Sequence, residues 1–228
     1  TGAQRVLIKR SASSLDEDRI WGVIMPNVAV NPVNNNLYLV YHDKPPGVSS
    51  DHANIYFIQS SDGGDNWSPS PMQVNSDGTT TDQWQPAITV KPDGSKLFIA
   101  WYDRRNDTTS NSCIKVYGVI AGLPITSASN FSTNFPISTL QFPPVFTGLV
   151  NHNQGEFDPC YPPAVRRDGQ TCPTFYGAYA GYMGDYDIAY SDNQYVYFTW
   201  GDNRDFTVAT YIQRNQANVR FVRLTWPR

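Results

Sequence analysis

A stretch of sequence that recurs at a constant offset is the feature that most constrains the fold of this chain. Residues 26–43 (PNVAVNPVNNNLYLVYHD) and residues 86–103 (PAITVKPDGSKLFIAWYD) align without a gap, 60 residues apart. Each copy begins with proline and ends in Tyr-x-Asp or Trp-x-Asp. A third copy, IAYSDNQYVYFTWGD at 188–202, ends in Trp-Gly-Asp. Repeats of this length indicate one structural unit that is used several times along the chain.

Each copy contains two short runs of β-branched and aromatic residues separated by turn residues, which is the pattern of a β-hairpin. Four antiparallel strands in each repeat of about 50–60 residues are typical of a propeller blade. A β-sandwich is the alternative, but it would not repeat one strand unit with the same ending. Further strands are predicted after the hairpins, a third at 54–60, 114–120 and 218–224 and a fourth at 72–75 and 135–138.

The composition fits an all-β chain and argues against several other classes. The 228 residues include only 2 Glu and 5 Lys, so long amphipathic helices are not expected. Aromatic residues make up 14% of the chain, which is too many for a disordered protein. The net charge of -3 argues against a nucleic-acid partner. No apolar run approaches the length of a membrane-spanning helix, so we expect no membrane span.

The turn between the third and fourth predicted strands of the first repeat has the sequence SSDGGDNW, residues 60–67. The Asp62 carboxylate can accept backbone N–H groups of its own turn, and Gly64 can supply a positive φ. Together, Ser60, Asp62, Gly64 and Trp67 match the pattern Ser-x-Asp-x-Gly-x-x-Trp. The chain therefore resembles the sialidase-like (bacterial neuraminidase repeat) propellers, whose Asp box has this pattern. The resemblance implies an all-β propeller with three clear blades and a partial fourth.

The resemblance covers about residues 18–140 and 184–224, and it implies one propeller domain, or a portion of one, over 1–228. Residues 141–183 lie outside it and are interpreted as an insertion or a degenerate blade. Propeller rings have about four to eight blades. We therefore expect further blades from a longer chain or from a second copy, as in a six-bladed ring formed by a homodimer. The alternative is a closed ring of four or five blades, in which a strand at 4–10 completes the last blade.

The resemblance to sialidases also implies a set of catalytic groups. Arginines should hold the carboxylate of the substrate, a tyrosine activated by a glutamate should attack, and an aspartic acid should protonate the leaving group. The candidates for catalysis are Asp103, Asp202, Glu156 and Tyr182. The candidates for ligand binding are Arg104, Arg105, Arg204, Trp84 and Asp82.

A structural interpretation of the same residues is favoured by their repetition. A catalytic acid is needed once, whereas Asp43, Asp103 and Asp202 occupy the same position in each repeat. We therefore predict that these three carboxylates cap turns at the ends of strands. The same reasoning predicts that Arg105 and Arg204 bridge to a neighbouring blade.

These observations favour a binding module over an enzyme. Arg19-Ile20-Trp21 is the nearest string to the Arg-Ile-Pro segment of true sialidases, and it lacks the proline. We expect a secreted or extracellular propeller that binds a glycan or a surface protein on a face rich in Trp, Tyr and Arg. A sialidase-like glycoside hydrolase is the first alternative, and a structural surface module is the second.

The cysteines also favour export. Cys160 and Cys172 flank a short loop and are predicted to form a disulfide, whereas Cys113 is predicted to be a buried thiol. Neither cysteine of the predicted pair has the neighbours that a zinc site requires. The acidic loop at 185–187 has oxygen ligands that suit Ca²⁺, which is a lesser hypothesis, and no other cofactor is expected.

Overall fold

The computed structural model describes residues 26–45, 51, 53–109, 113–142, 187–209 and 212–227, without the side chains of 203–209 and 212–217. The strand predicted at 4–10 lies outside these residues. Within them the chain is all-β, as predicted, and no helix is long and apolar enough to cross a membrane. The strands are β1 (Asn27–Val30), β2 (Leu37–Asp43), β3 (Asn54–Ser60), β4 (Met72–Gln73), β5 (Gln83–Val90), β6 (Lys96–Asp103), β7 (Lys115–Gly122), β8 (Phe135–Pro136), β9 (Ile188–Ser191), β10 (Tyr195–Ala209) and β11 (Ile212–Thr225).

The strands form three separate sheets, one for each repeat. Strands β1–β4 form the first sheet and β5–β8 form the second, and both are four-stranded with neighbouring strands in sequence order. Strands β9–β11 form the third sheet, which has three strands in the order β11-β10-β9. Every pairing is antiparallel. The four-strand unit predicted for the first two repeats and the three-strand unit predicted for the third are confirmed.

The third sheet differs from the prediction in the length of its hairpin. We expected a loop after Asp202, but β10 continues to Ala209 and pairs with β11 from Ile212 onward. That expectation is wrong. The pairing of β10 with β11 shifts register between Asp202 and Asp205. A local irregularity in the strand, and not a turn, therefore lies where the loop was expected. The sequence beyond this point, DFTVA, alternates polar and apolar residues, which is the pattern of a strand.

The second sheet lies between the other two. Strands β1 and β2 contact β5, and β5 contacts β9. One face of the second sheet packs on the first sheet in a cluster that includes Tyr38, Phe57 and Trp101. Its other face packs on the third sheet in a cluster that includes Phe98 and Phe198. Because both faces are covered, the central strand β6 is buried on its two sides, which explains its nearly uninterrupted apolar sequence LFIAWY.

Candidate functional site

Four of the predicted binding residues lie together, where β5 begins and β6 ends. The antiparallel register pairs Gln83 with Asp103 and Trp84 with Tyr102, so residues just outside this pairing are also neighbours. Asp82, Trp84 and Arg104 are all buried, with exposed fractions of 0%, 3% and 4%. We call Asp82, Trp84, Asp103, Arg104 and Arg105 the arginine network. The side chain of Asp103 is also buried, and that of Arg105 is half-buried.

Arg104 is held in place by Asp82 and Trp84. Its Nη1 donates to Asp82 Oδ2 at 3.1 Å, and its backbone N–H donates to the Asp82 carbonyl oxygen at 3.1 Å. The guanidinium carbon lies 4.9 Å from the centre of the Trp84 ring, which is a cation–π contact. Trp84 stacks in turn on Tyr102, with 5.6 Å between the ring centres. The charge of Arg104 is therefore balanced by an internal carboxylate and covered by an aromatic ring.

Arg105 connects the end of β6 to the edges of two sheets. Its Nη2 donates to Asp103 Oδ2 at 2.6 Å and to Asn134 Oδ1 at 3.2 Å, and it lies 3.8 Å from Asp77 Oδ1. The guanidinium also lies 4.1 Å from the centre of the Tyr117 ring. Burial raises the pKa of the Asp103 carboxyl, and the hydrogen bonds and charge of Arg105 oppose that shift. Arg105 thus joins Asp77, which follows β4, to Asp103 at the end of β6 and to Asn134, which precedes β8.

The acids of the repeated Tyr/Trp-x-Asp endings make local hydrogen bonds. The Trp101 indole N–H donates to Asp103 Oδ2 at 2.8 Å, and the Trp200 indole N–H donates to Asp202 Oδ2 at 3.4 Å. Asp103 Oδ1 also accepts the backbone N–H of Arg105 at 2.8 Å. In the first sheet, Asp43 Oδ1 accepts the backbone N–H of Lys44 at 2.8 Å. Asp43 and Asp103 make these contacts at the ends of β2 and β6, as predicted for turn caps, whereas Asp202 lies inside β10 and caps no turn.

A hydrogen-bonded group that the sequence did not predict joins the second sheet to the third. The Tyr102 hydroxyl lies 3.0 Å from Asp187 Oδ1 and 3.0 Å from the Gly201 carbonyl oxygen, and it accepts the Gly201 N–H at 2.9 Å. Burial raises the pKa of Asp187 to about 8. Burial, followed by the nearby Asp187, raises the pKa of Tyr102 well above its ordinary value. The signal in the sequence was Gly201, because this glycine replaces the larger middle residue of the repeated ending.

A bulge in β5 sets the direction of the chain beside the network. The register shifts between Trp84 and Ala87, and Gln85 has a φ of 52°. Pro86, which has no N–H to donate, follows directly, and a bulge is where a strand tolerates proline. The Gln85 N–H leaves the ladder and donates to His42 Nδ1 of the first sheet at 3.3 Å.

The turn at 60–67 lies at the opposite end of the first sheet. Asp62 Oδ1 accepts the hydroxyl of Ser60 at 2.8 Å and the backbone N–H of Asn66 at 2.9 Å, and Asp62 Oδ2 accepts the Asn66 side chain at 2.7 Å. These hydrogen bonds lower the pKa of Asp62 to about 2. Gly64 has a φ of 97°, and its carbonyl accepts the Trp67 indole N–H at 3.1 Å. The turn is thus held by the side chains of the Ser-x-Asp-x-Gly-x-x-Trp pattern.

A groove of about 480 Å³ lies beside this turn, and we call it the Trp67 groove. Its volume is in the range of about 300–1,000 Å³ that is usual for small-molecule sites. The sequence does not predict this groove, because its walls come from two repeats that are distant in sequence. The residues that line it are Asn36, Gln59, Ser60, Ser61, Asp62, Asn66, Trp67, Ser68, Pro69, Met72, Pro124 and Ile125.

Several predicted residues lie outside the described residues. These are Glu156, Tyr182, Cys160, Cys172 and most of the acidic loop at 185–187, and the side chain of Arg204 in β10 is also outside them. Cys113 is buried, and burial followed by the nearby Asp107 raises its thiol pKa to about 11. In the part of the chain that the structure describes, no group of three or more His, Cys, Asp or Glu residues could hold a metal ion.

Comparisons with known proteins add no relative. No protein-family model matches this chain, and no curated protein is significantly similar to it in sequence. The likeness to sialidase-like propellers therefore stays a resemblance that depends on the repeats and on the turn at 60–67. Function has to be inferred from the two regions described above, the arginine network and the Trp67 groove.

Proposed function

We propose that this chain is a sialidase-like propeller module, or part of one, that binds a glycan or a surface protein outside the cell and does not hydrolyse it. The order of the sheets supports a propeller, because consecutive blades contact each other through their first strands, as β1, β5 and β9 do. Exposed apolar side chains on the first strands of the two outer sheets support further blades, from a longer chain or a second copy. These side chains are Val28 and Val30 on β1 and Ile188 and Tyr190 on β9.

The observation that carries the proposal is the pairing inside the arginine network. A sialidase needs arginines whose guanidinium groups face the carboxylate of the substrate. Arg104 and Arg105 are instead paired with Asp82 and Asp103, which are both fully buried. Moving either arginine to a substrate would take its cation away from a buried carboxylate, at a cost of about 3–5 kcal/mol. This cost supports binding elsewhere on the surface over hydrolysis at the network.

The hydrolase remains the alternative because of the Tyr102–Asp187 contact, which brings a tyrosine hydroxyl within 3.0 Å of a carboxyl oxygen. A tyrosine nucleophile must lose its proton to attack, and an activating group should make that loss easier. Here burial and Asp187 raise the pKa of Tyr102, which is the opposite effect. The contact therefore favours a link between two sheets. A purely structural surface module is the second alternative, and it would bind no ligand.

A paired assay of hydrolysis and binding tests the proposal. We expect the protein to release no 4-methylumbelliferone from the fluorogenic N-acetylneuraminic acid conjugate, and to bind members of a glycan array. Arg105→Lys, which keeps the charge, is compared with the wild type, and Lys91→Ala removes a surface cation as a matched control. Turnover that Arg105→Lys abolishes and Lys91→Ala leaves unchanged would establish the hydrolase. Absence of both turnover and binding would favour the structural module.

A further inference from the structure

We propose that the Trp67 groove is a binding site for a neutral sugar residue of a glycan. The inference rests on the proposed binding function and names the site and the ligand class. Three features that lie together are its basis: a fixed indole ring, three polar side chains that can form further hydrogen bonds, and walls from two repeats. No basic side chain is among the described lining residues.

The indole of Trp67 is held in one orientation and is half-buried, so part of its surface remains at the groove. Its N–H donates to the Gly64 carbonyl oxygen, and its ring packs against a cluster that contains Tyr41, Tyr56 and Ile58. An aromatic ring that is already fixed loses little conformational entropy when a ligand covers it. Met72 and Pro124 extend the apolar wall beside it. The C–H groups on one face of a sugar ring suit such a surface.

The polar side chains of the groove can bind hydroxyl groups. Gln59 Nε2 donates to the Ile125 carbonyl oxygen at 2.8 Å, which fixes the amide across the two sheets and leaves Oε1 as an acceptor. Among the described residues, the Asn36 amide and the Ser61 hydroxyl form no side-chain hydrogen bond. Amides and hydroxyls together offer donors and acceptors, as the hydroxyl groups of sugars require. The walls come from β3, β4 and the turns of two repeats, and the hydrogen bond from Gln59 to Ile125 joins the two repeats before a ligand arrives.

The charge of the groove selects against acidic sugars. Asp62 is the one charged residue among the described lining residues, and its pKa of about 2 keeps it ionised. Both of its carboxylate oxygens already accept hydrogen bonds from Ser60 and Asn66. A ligand with a carboxylate or sulfate group would meet this negative charge without a compensating cation. A neutral sugar avoids that repulsion, which distinguishes this site from the arginine-based sites of sialidases.

Isothermal titration calorimetry with defined oligosaccharides tests the site. The neutral probes are chitotriose, mannotriose and galactobiose, and 3′-sialyllactose is the anionic comparison. We expect at least one neutral probe to bind more tightly than 3′-sialyllactose. The double variant Asn36→Ala/Ser61→Ala should weaken that binding by about tenfold, because it removes two hydrogen-bonding groups. Trp67→Phe should also weaken it, and Asn193→Ala, which removes an exposed amide from the β9–β10 turn, should leave it unchanged.

The thermal midpoint of each variant shows whether it is folded, and the groove variants that remove Asn36 and Ser61 side chains are expected to keep the wild-type midpoint. Equal binding by all variants, or tighter binding of 3′-sialyllactose, would overturn the site while leaving a glycan-binding function in place. Failure of all three neutral probes to bind would also overturn the site. Failure of the proposed function is a separate result, namely the absence of any ligand on the glycan array.

Discussion

The two ends of the first and second sheets differ in what their polar side chains contact. At one end, the arginine network pairs two arginines with two buried aspartates. At the other end, Asp62 is the one ionised residue among the described residues that line the Trp67 groove, and the Asn36 amide and the Ser61 hydroxyl form no side-chain hydrogen bond with described residues. The end that is richer in charged and aromatic residues is therefore the closed one.

This difference shows that polar side chains have two different roles in this molecule. Buried charges must be paired, because an unpaired charge in the interior costs several kcal/mol, on the order of 3–5. Half-exposed amides carry no such requirement, because water can serve them until a ligand arrives. The arginine network therefore stabilises the contact between sheets, and the Trp67 groove is available to a ligand.

Arg104→Met should produce the largest loss of stability, because it leaves the buried Asp82 carboxylate without its arginine. We expect the free energy of unfolding to fall by about 3–5 kcal/mol, measured by urea denaturation. The matched control is Lys91→Ala, which breaks the more exposed 2.5 Å pair with Asp93. That variant should lose no more than about 1 kcal/mol. Equal losses in the two variants would contradict a structural network.

Asp187→Asn should change how stability depends on pH. The pKa of Asp187 is raised to about 8 in the folded protein, compared with about 3.9 in an unfolded chain. Between these values the folded state holds a proton that the unfolded state has lost, so stability decreases as pH rises from about 4 to 8. One such group contributes at most about 1.4 kcal/mol per pH unit.

The asparagine variant does not titrate, so its stability should fall less steeply across this range and should exceed that of the wild type above about pH 8. Urea denaturation at several pH values measures both proteins. Parallel curves for the two proteins would show that Asp187 is not buried against Tyr102 in the folded state.

Trp101→Phe and Trp200→Phe test the same Trp–Asp hydrogen bond in two repeats. The indole of Trp101 donates to Asp103 at 2.8 Å, whereas that of Trp200 is 3.4 Å from Asp202. We expect Trp101→Phe to cost about 2 kcal/mol, since it removes a donor from a buried carboxylate, and Trp200→Phe to cost about 1 kcal/mol or less. Thermal and urea unfolding of both variants give the comparison. A larger loss in Trp200→Phe would mean that the longer contact is the stronger one.

Gly64→Ala should have a small effect on stability, at the groove end. Gly64 has a positive φ, and an added Cβ would lie 3.3 Å from Leu37 Cδ1. The expected loss is about 1 kcal/mol, measured by the thermal midpoint. Gly122→Ala, whose Cβ would meet nothing within 4 Å, is the control and should be close to neutral. Equal effects in the two variants would remove the strain argument for this turn.

Most of the strand pattern could be predicted from sequence, because alternation and turn residues act locally. Strand β3 has the predicted bounds, 54–60, and the fourth strands start at the predicted residues, 72 and 135. The hairpin of the third sheet was predicted too short because the repeat suggested a turn after Asp202. In the structure the pairing of β10 with β11 continues beyond a register shift at this point. A repeat predicts where a unit begins better than where its second strand ends.

The site was less predictable because burial depends on which sheets pack together. Trp84 and Arg104 have residue types that are typical of a ligand site, and nothing near them in sequence shows that they are covered. Residues of the third sheet contact this region from far along the chain, as Gly201 does through Tyr102. The Trp67 groove likewise depends on Gln59 meeting Ile125 of the next repeat. Both features arise only when the sheets are assembled.

The division between a closed network and an open groove is tested most directly by NMR chemical-shift mapping of the intact protein with a neutral oligosaccharide such as chitotriose. We predict shifts of the backbone amides at 59–68 and of the Trp67 indole N–H, with the resonances of Trp84, Arg104 and Arg105 unchanged. Shifts confined to Trp84, Arg104 and Arg105, with the amides at 59–68 unaffected, would contradict this division.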